Sequence, residues 1–365
     1  MIDIIITSAL LVAGILISIF GGSGMFLVVI VFLIGLGLII KGGDMFVDAS
    51  SWIAEKSGVP KFIVGATIVS IATTLPEMIA SVTGTLEGAL GLAAGNAIGS
   101  VTANSGLIMA ISVMFMPAIV KRKEYAFKSI LLMVVTLMLA LLMLDGKLNI
   151  YNAIIVIICF GAFIWENIVS TKAAFLNESD EKNDCEIELE QIEDKEKILE
   201  EKMGDKKSLN LIINIAKFVL GAAGIYFGAK YLVSSGVEIA TALHVSEDVI
   251  GLTLVAIGTS LPELVTTITA IAKKQSELSV GNIIGANIID MSLILPVCAF
   301  VSHGGTLELE SMQTVYLDLP VCLGIIGIMV IPMLINKKFS RWQGIVALAV
   351  YIAYLVVITT GLISF

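Results

Sequence analysis

Apolar residues run along this chain in long blocks, not in the alternating or 3.6-residue patterns of a fold that faces water. Blocks bounded by charges or turn residues fall at 4–20, 25–41, 61–86, 88–118, 126–144, 149–168, 209–235, 247–272, 277–302, 312–335 and 342–363. A helix crosses the ~30 Å hydrocarbon layer with ~20 predominantly apolar residues, so the pattern predicts about eleven transmembrane helices. Only Met1, Ile2 and Asp3 precede the first block, without a basic residue. That argues for an additional helix and against a cleaved leader. Asp44 and Asp48 fall near the expected end of the second span, and Asp318 near the start of the tenth.

One stretch breaks the pattern. Residues 172–207 hold thirteen Asp or Glu and seven Lys. The acids are interleaved with lysines and no DxDxDG-type loop is present, so a solvated linker, partly helical around Glu186 to Lys202, is expected in place of a calcium-binding loop. The chain therefore reads as 1–22, an extra N-terminal helix; 23–170, a first half; 171–208, the linker; and 209–365, a second half. One set of alternate loops carries Lys56 and Lys61, then Lys121, Arg122, Lys123 and Lys128, the linker, Lys273 and Lys274, and Lys337, Lys338 and Arg341. The opposite set holds little beyond Lys147 and Lys230. Positive residues favour the cytoplasmic side, which places 171–208 in the cytoplasm; a multi-pass protein of the plasma membrane is expected.

Composition sharpens the class. The chain is 57% hydrophobic and 15% charged, far from an ordinary soluble enzyme. Of the net charge of −9, the linker contributes −6 (seven bases against thirteen acids), leaving −3 for the membrane body. With no basic surplus there is no case for nucleic-acid binding. Cys159, Cys185, Cys298 and Cys322 show no CxxC spacing, and His244 and His303 stand far apart, so neither a zinc site nor a disulfide framework is indicated. No enzyme nucleophile, phosphate loop or cofactor motif occurs.

Sliding the chain by 186 residues lays Gly65-Ala-Thr-Ile-Val-Ser-Ile-Ala-Thr-Thr-Leu-Pro-Glu77 on Gly251-Leu-Thr-Leu-Val-Ala-Ile-Gly-Thr-Ser-Leu-Pro-Glu263. The register holds without a gap from 65–104 to 251–290, with fourteen identities in forty. The first copy starts on the third predicted span and the second on the eighth. An odd number of crossings separates them, so the copies are expected to run in opposite directions. Inverted repeats that meet near the midplane are a device of secondary transporters.

Each copy carries two features that are costly in lipid. Glu77 and Glu263 place a carboxylate within an apolar span, at ~2.5–3.5 kcal/mol on insertion scales. Pro76 and Pro262 lack an N–H and crowd the carbonyls of Ala72 and Gly258, freeing backbone oxygens that only protein or a wet cavity can satisfy. Thr73 and Glu77 are i,i+4 neighbours, as are Thr259 and Glu263. The following helix offers Asn96, Ser100 and Asn104 in one copy and Asn282 and Asp290 in the other. Gly95, Gly99, Gly281 and Gly285 permit close helix approach. An all-oxygen set of acids, amides, hydroxyls and carbonyls suits hard cations such as Ca²⁺, with Na⁺ a competitor of similar radius.

These residues resemble the α-repeats of the cation/Ca²⁺ exchanger superfamily, and specifically its sodium/calcium exchanger branch. The likeness extends from about residue 25, including Gly42 onward and Arg341-Trp-Gln-Gly in the last hairpin. It implies an all-α polytopic membrane protein with a ten-helix core of two inverted-topology five-helix repeats and kinked repeat helices, the first helix lying outside that core. It implies antiport of Ca²⁺ against Na⁺ by alternating access, with no cofactor and no obligatory protein partner beyond the two ions and the lipid bilayer. Carried over, the Ca²⁺ site is Thr73, Glu77, Thr259 and Glu263. The Na⁺ or lining positions are Ser70, Thr74, Ser100, Asn104, Ala256, Ser260 and Asp290. Three departures stand out: Thr74 and Ala286 replace the family's usual Ser, and Val101 stands where Asn is common. The missing Ala286 hydroxyl leaves a proton- or potassium-dependent exchanger as an alternative. A calcium channel and a non-transporting scaffold are the competitors from other classes.

Overall fold

The computed structural model describes residues 2–20, 24–86, 88, 90–116, 122–186, 193–242, 260–309 and 312–360. Among them the chain forms eleven helices. They are α1 (Ile2–Phe20), α2 (Met25–Ser57), α3 (Lys61–Leu86), α4 (Leu90–Ala103, continuing through Asn104–Ile108 into Met109–Phe115), α5 (Arg122–Leu142) and α6 (Ile150–Glu186). After these come α7 (Glu193–Ala242), α8 (Leu261–Ala272), α9 (Ser276–Val301), α10 (Thr314–Asn336) and α11 (Arg341–Thr360). Nine are long and apolar enough to cross a membrane, and α1 and α8 contribute shorter apolar stretches. The protein is an all-α polytopic membrane protein.

Membrane-facing surfaces are apolar in helical register. On α5, Ile130, Val134, Leu137 and Leu141 recur at intervals of four, three and four and are all exposed. α3 is apolar outside and polar inside: Ile68, Ile71, Leu75 and Ile79 are exposed, while Ser70, Thr73, Thr74, Glu77 and Ser81 are buried. α9 sits at the centre, with every residue from Leu278 to Ile289 buried. It packs on α3, α4, α5 and α8.

Glycines set the tightest contacts. A Cβ on Gly285 would lie 2.6 Å from the Ala66 carbonyl oxygen, and one on Gly281 would overlap the Phe62 carbonyl. α2 and α7 touch the same way: a Cβ on Gly42 would meet the Gly221 carbonyl oxygen at 2.9 Å, and one on Gly228 the Gly35 carbonyl oxygen at 2.8 Å. Lipid supplies no hydrophobic drive between helices, so such backbone-close packing is what holds them together. α1 lies against this pair, with the Thr7 hydroxyl 3.7 Å from the Met45 sulfur and Lys41 3.2 Å from Asp3.

The repeat extends to element boundaries. Adding 186 to Leu90–Ala103, Asn104–Ile108 and Met109–Phe115 gives Ser276–Ile289, Asp290–Ile294 and Leu295–Val301, and the end of α3 at Leu86 maps to the end of α8 at Ala272. The middle segments, Asn104–Ile108 and Asp290–Ile294, are both π-helical. An inserted π turn costs regular hydrogen bonding and recurs at functional positions, and here both copies place it at the residue that carries Asn or Asp. A two-stranded antiparallel pair, Lys147–Asn149 with Thr306–Glu308, joins the loop before α6 to the loop after α9.

Three expectations change. The second helix continues to Ser57, where Gly58 in the left-handed region and Pro60 end it. Asp44 and Asp48 therefore lie within α2 and not at its end, and both pair with Lys273, at 3.3 and 2.7 Å. Lys128 is not a loop residue: α5 begins at Arg122, and Lys128 is wholly buried, 2.8 Å from Glu166 of α6 and 5.3 Å from the Phe62 ring centre. An intramembrane cation needs such a partner. The linker is helical up to Glu186 and again from Glu193, more extensively than its composition indicated.

Candidate cation site

The π turn at Gly65–Val69 precedes Ser70 on α3, and the helix then carries Thr73, Thr74 and Glu77 inward on successive turns. Pro76 sits within that helix, so the Ala72 carbonyl has no N–H from the residue four positions on. In the second copy α8 starts at Leu261, directly before Pro262 and Glu263, with Ser260 at φ −89° and ψ 7°. Its buried face is Glu263, Thr266, Thr267 and Ala270. α4 and α9 bring Ser100 and Asn104, and Asn282 and Asp290, to the same region.

The two copies interlock through polar contacts. The Thr73 hydroxyl donates to Asn282 Oδ1 at 3.2 Å, the Ser260 hydroxyl lies 3.5 Å from Ser100 Oγ, and Asn287 Nδ2 donates to Ser105 Oγ at 2.8 Å. Within the first copy, Asn96 Nδ2 donates to Ser81 Oγ at 2.9 Å and to the Glu77 carbonyl at 3.4 Å. The Ser70 carbonyl oxygen accepts from Thr74 at 2.6 Å and Thr73 at 3.3 Å.

Glu77, Glu263 and Asp290 are each no more than 1% exposed. None of their six carboxylate oxygens has a hydrogen-bond partner among the described residues, and the Asn104 side-chain oxygen lacks one as well. Glu77 interacts with both Glu263 and Asp290, and Thr73 stands beside Glu263. A buried carboxylate without a partner carries its full desolvation cost. Among the described residues no Lys or Arg pairs with any of the three carboxylates, and the buried Lys128 is matched to Glu166. Bound cations satisfy such a centre. Among the described residues no three Asp, Glu, His or Cys side chains converge tightly enough to hold a metal by themselves. The ligand shell therefore has to draw on hydroxyl, amide and backbone oxygens.

Of the residues singled out in sequence, Ser70, Thr73, Thr74, Glu77, Ser100, Asn104, Ser260, Glu263 and Asp290 are buried. They lie on the four helices that meet here, except Ser260, which directly precedes α8. Ala256 and Thr259 lie outside the described residues. Sequence reasoning missed Ser81, Ser105 and Asn287. Asn287, wholly buried with its Oδ1 unpartnered, had a visible signal: an amide within the apolar run Ile283 to Ile289.

The fold and this centre define a polytopic membrane protein with a buried acidic heart, the arrangement of a cation transporter. Residues 27–169 and 213–360 match the family described as sodium/calcium exchanger protein. The chain is similar to the sodium/calcium exchanger MaX1 of Methanosarcina acetivorans, 30% identical over 366 residues covering 90% of this chain and 97% of that one. It is also similar to an uncharacterized membrane protein of Methanocaldococcus jannaschii, 32% identical over 88% of this chain and 94% of the relative. Among solved structures it resembles the sodium-calcium exchanger NCX_Mj soaked with 10 mM Na⁺ and zero Ca²⁺, with a TM-score of 0.74 and 29% identity over 91% of this chain and 99% of that one. The chain belongs to the sodium/calcium exchanger protein family. The family match leaves out α1 and residues 170–212.

Proposed function

We propose that the protein is an antiporter in the plasma membrane that exchanges Ca²⁺ for Na⁺ by alternating access of one buried site. The observation that carries the reading is the trio Glu77, Glu263 and Asp290: three buried carboxylates whose oxygens have no hydrogen-bond partner among the described residues. A divalent ion balances two carboxylates at once, and monovalent ions distributed over the same oxygens balance them in turn, which is the chemical basis of exclusive exchange. In this reading Thr73, Glu77, Thr259 and Glu263 bind Ca²⁺. Ser70, Thr74, Ser100, Asn104, Ala256, Ser260 and Asp290 bind Na⁺ or line the path, with Ser70 and Ala256 acting through their carbonyls. The halves 23–170 and 209–365 rock against each other as inverted repeats, and 171–208 is a cytoplasmic tether. Deleting 176–205 is expected to leave exchange largely intact.

The test is uptake of radiolabelled calcium by proteoliposomes. An outwardly directed Na⁺ gradient is expected to drive Ca²⁺ uphill. Uptake indifferent to Na⁺ but driven by a pH gradient would move the assignment to a proton-coupled carrier. A requirement for K⁺ alongside Na⁺ would mark a potassium-dependent exchanger. Flux that only dissipates a calcium gradient would mark a channel.

A further inference from the structure

Away from the cation site, α5 and α10 enclose a groove of about 1070 Å³ that is completed by the start of α11. Its lining is apolar throughout, from Ile130 to Leu137 on α5 and from Pro320 to Ile335 on α10, apart from the indole of Trp342. The floor is glycine. A Cβ on Gly324 would meet no described atom within 4 Å, and one on Gly327 only the Ile331 methyl at 3.7 Å. From Pro320 to Ile335 the groove follows fifteen helical steps, about 22 Å at ~1.5 Å each. That exceeds the ~15 Å depth of half a bilayer core.

One end of the groove is strongly basic. Ile335 and Trp342 flank Lys337, Lys338 and Arg341, all three exposed, and no carboxylate among the described residues pairs with any of them. Lys337 ends α10 in the left-handed conformation, at φ 58°. Tyr125, in the first turn of α5, packs edge-on against Phe339 with ring centres 5.3 Å apart. The start of α5, with Arg122 and Lys123 in its sequence, therefore sits at the same end. An indole at this level also suits the membrane–water interface.

We propose that this groove is a binding site for an anionic phospholipid, with an acyl chain lying on Gly324 and Gly327 and the phosphate headgroup held by Lys337, Lys338 and Arg341. Basic pockets between transmembrane helices select anionic headgroups, while the apolar channel accepts the chain. Charge argues against a second copy of this protein in the groove. A two-fold dimer in the membrane would set like basic clusters beside each other.

Trp342 reports on the groove directly. In full-length protein carrying Trp52→Phe and Trp165→Phe, it is the sole tryptophan. Reconstituted in phosphatidylcholine vesicles with a minor fraction of brominated phosphatidylglycerol, Trp342 fluorescence is expected to be quenched several-fold more than with an equal fraction of brominated phosphatidylcholine. Lys337→Gln, Lys338→Gln and Arg341→Gln together should erase that preference, at roughly fivefold per charge removed. Gly324→Leu with Gly327→Leu, whose side chains enter open space, should reduce quenching by either lipid while circular dichroism and Na⁺-driven calcium uptake stay unchanged. Equal quenching by both lipids, or a preference that survives the triple substitution, would overturn the proposal. So would protein that resists quenching by either lipid and cross-links as a dimer through Gly324→Cys.

Discussion

The two repeat copies have the same backbone boundaries and different chemistry. Helix, π turn and helix begin and end 186 residues apart without slippage, yet the turn opens on Asn104 in one copy and Asp290 in the other. One helical turn earlier, Ser100 faces Ala286 in the alignment, and Val101 faces Asn287. What the copies share, the glycines and the Pro-Glu pair, is what the packing and the primary charge require. What they do not share sets how many charges, hydroxyls and amides each half contributes. The site is therefore lopsided by composition, one buried carboxylate against two, on a scaffold whose local elements repeat.

The largest effects are expected at the two glutamates that the copies share. Glu77→Gln and Glu263→Gln each remove a buried negative charge whose cost in lipid is ~2.5–3.5 kcal/mol, offset only when a cation is bound. Each single substitution is expected to lower Na⁺-driven calcium uptake by about 100-fold or more, at ~1.4 kcal/mol per decade, with protein still recovered as a folded monodisperse species. Strong loss in one variant and near-normal flux in the other would show that the two glutamates do not share one ion.

Gly281→Ala tests the scaffold rather than the charge. The new methyl would overlap the Phe62 carbonyl, where the backbones of α3 and α9 touch. Overpacking of this kind costs about 1–3 kcal/mol, so the midpoint of thermal unfolding in detergent should fall clearly. Gly324→Ala, placed in open space on α10, should leave the midpoint unchanged.

The fold was largely legible in the sequence because lipid imposes a single demand, long apolar helices, and eleven blocks answered it. The candidate site was legible because Glu77 and Glu263 are anomalous within such blocks and occur twice. What escaped had physical reasons. The length of α2 beyond residue 41 was hidden because its polar half is stabilised by Lys273, 229 residues after Asp44. Lys128 looked like a loop charge because its partner, Glu166, is on another helix. The π turns escaped because they depend on i to i+5 bonding, which leaves no mark in hydrophobic periodicity. Asn287 was passed over because it is a solitary polar residue in an apolar run and Ser105 because it stands beside the more conspicuous Asn104, and only their contact at 2.8 Å across the two copies gives them a role.

A smaller change makes the copies alike at the π turn. Asp290→Asn gives the second copy the residue found at 104, removing one of three buried acids while keeping an oxygen in place. Both glutamates remain for the divalent ion, so calcium uptake should persist, reduced by roughly tenfold at saturating gradients, a change of ~1.4 kcal/mol. The measurement is the initial rate against Na⁺ gradient. Loss as complete as that of Glu77→Gln would move Asp290 into the calcium shell itself.

The finest test restores symmetry one helical turn away. Ala286 is wholly buried, and its counterpart Ser100 lies 3.5 Å from Ser260 Oγ. A hydroxyl introduced by Ala286→Ser can donate to the Asn282 carbonyl one turn earlier, as helical serines do, so its burial need not leave an unpaired group. Its oxygen then adds one neutral ligand on the side of the site assigned to Na⁺. A neutral ligand is worth about 1 kcal/mol, so the Na⁺ concentration for half-maximal exchange should fall by roughly threefold to fivefold. The calcium dependence should stay fixed, because both glutamates and both prolines are untouched. Titrating each ion separately in the same vesicles distinguishes the outcomes. A shift in calcium dependence with none in sodium would show that position 286 faces the divalent site, and the division of ligands between the two ions would have to be redrawn around α9.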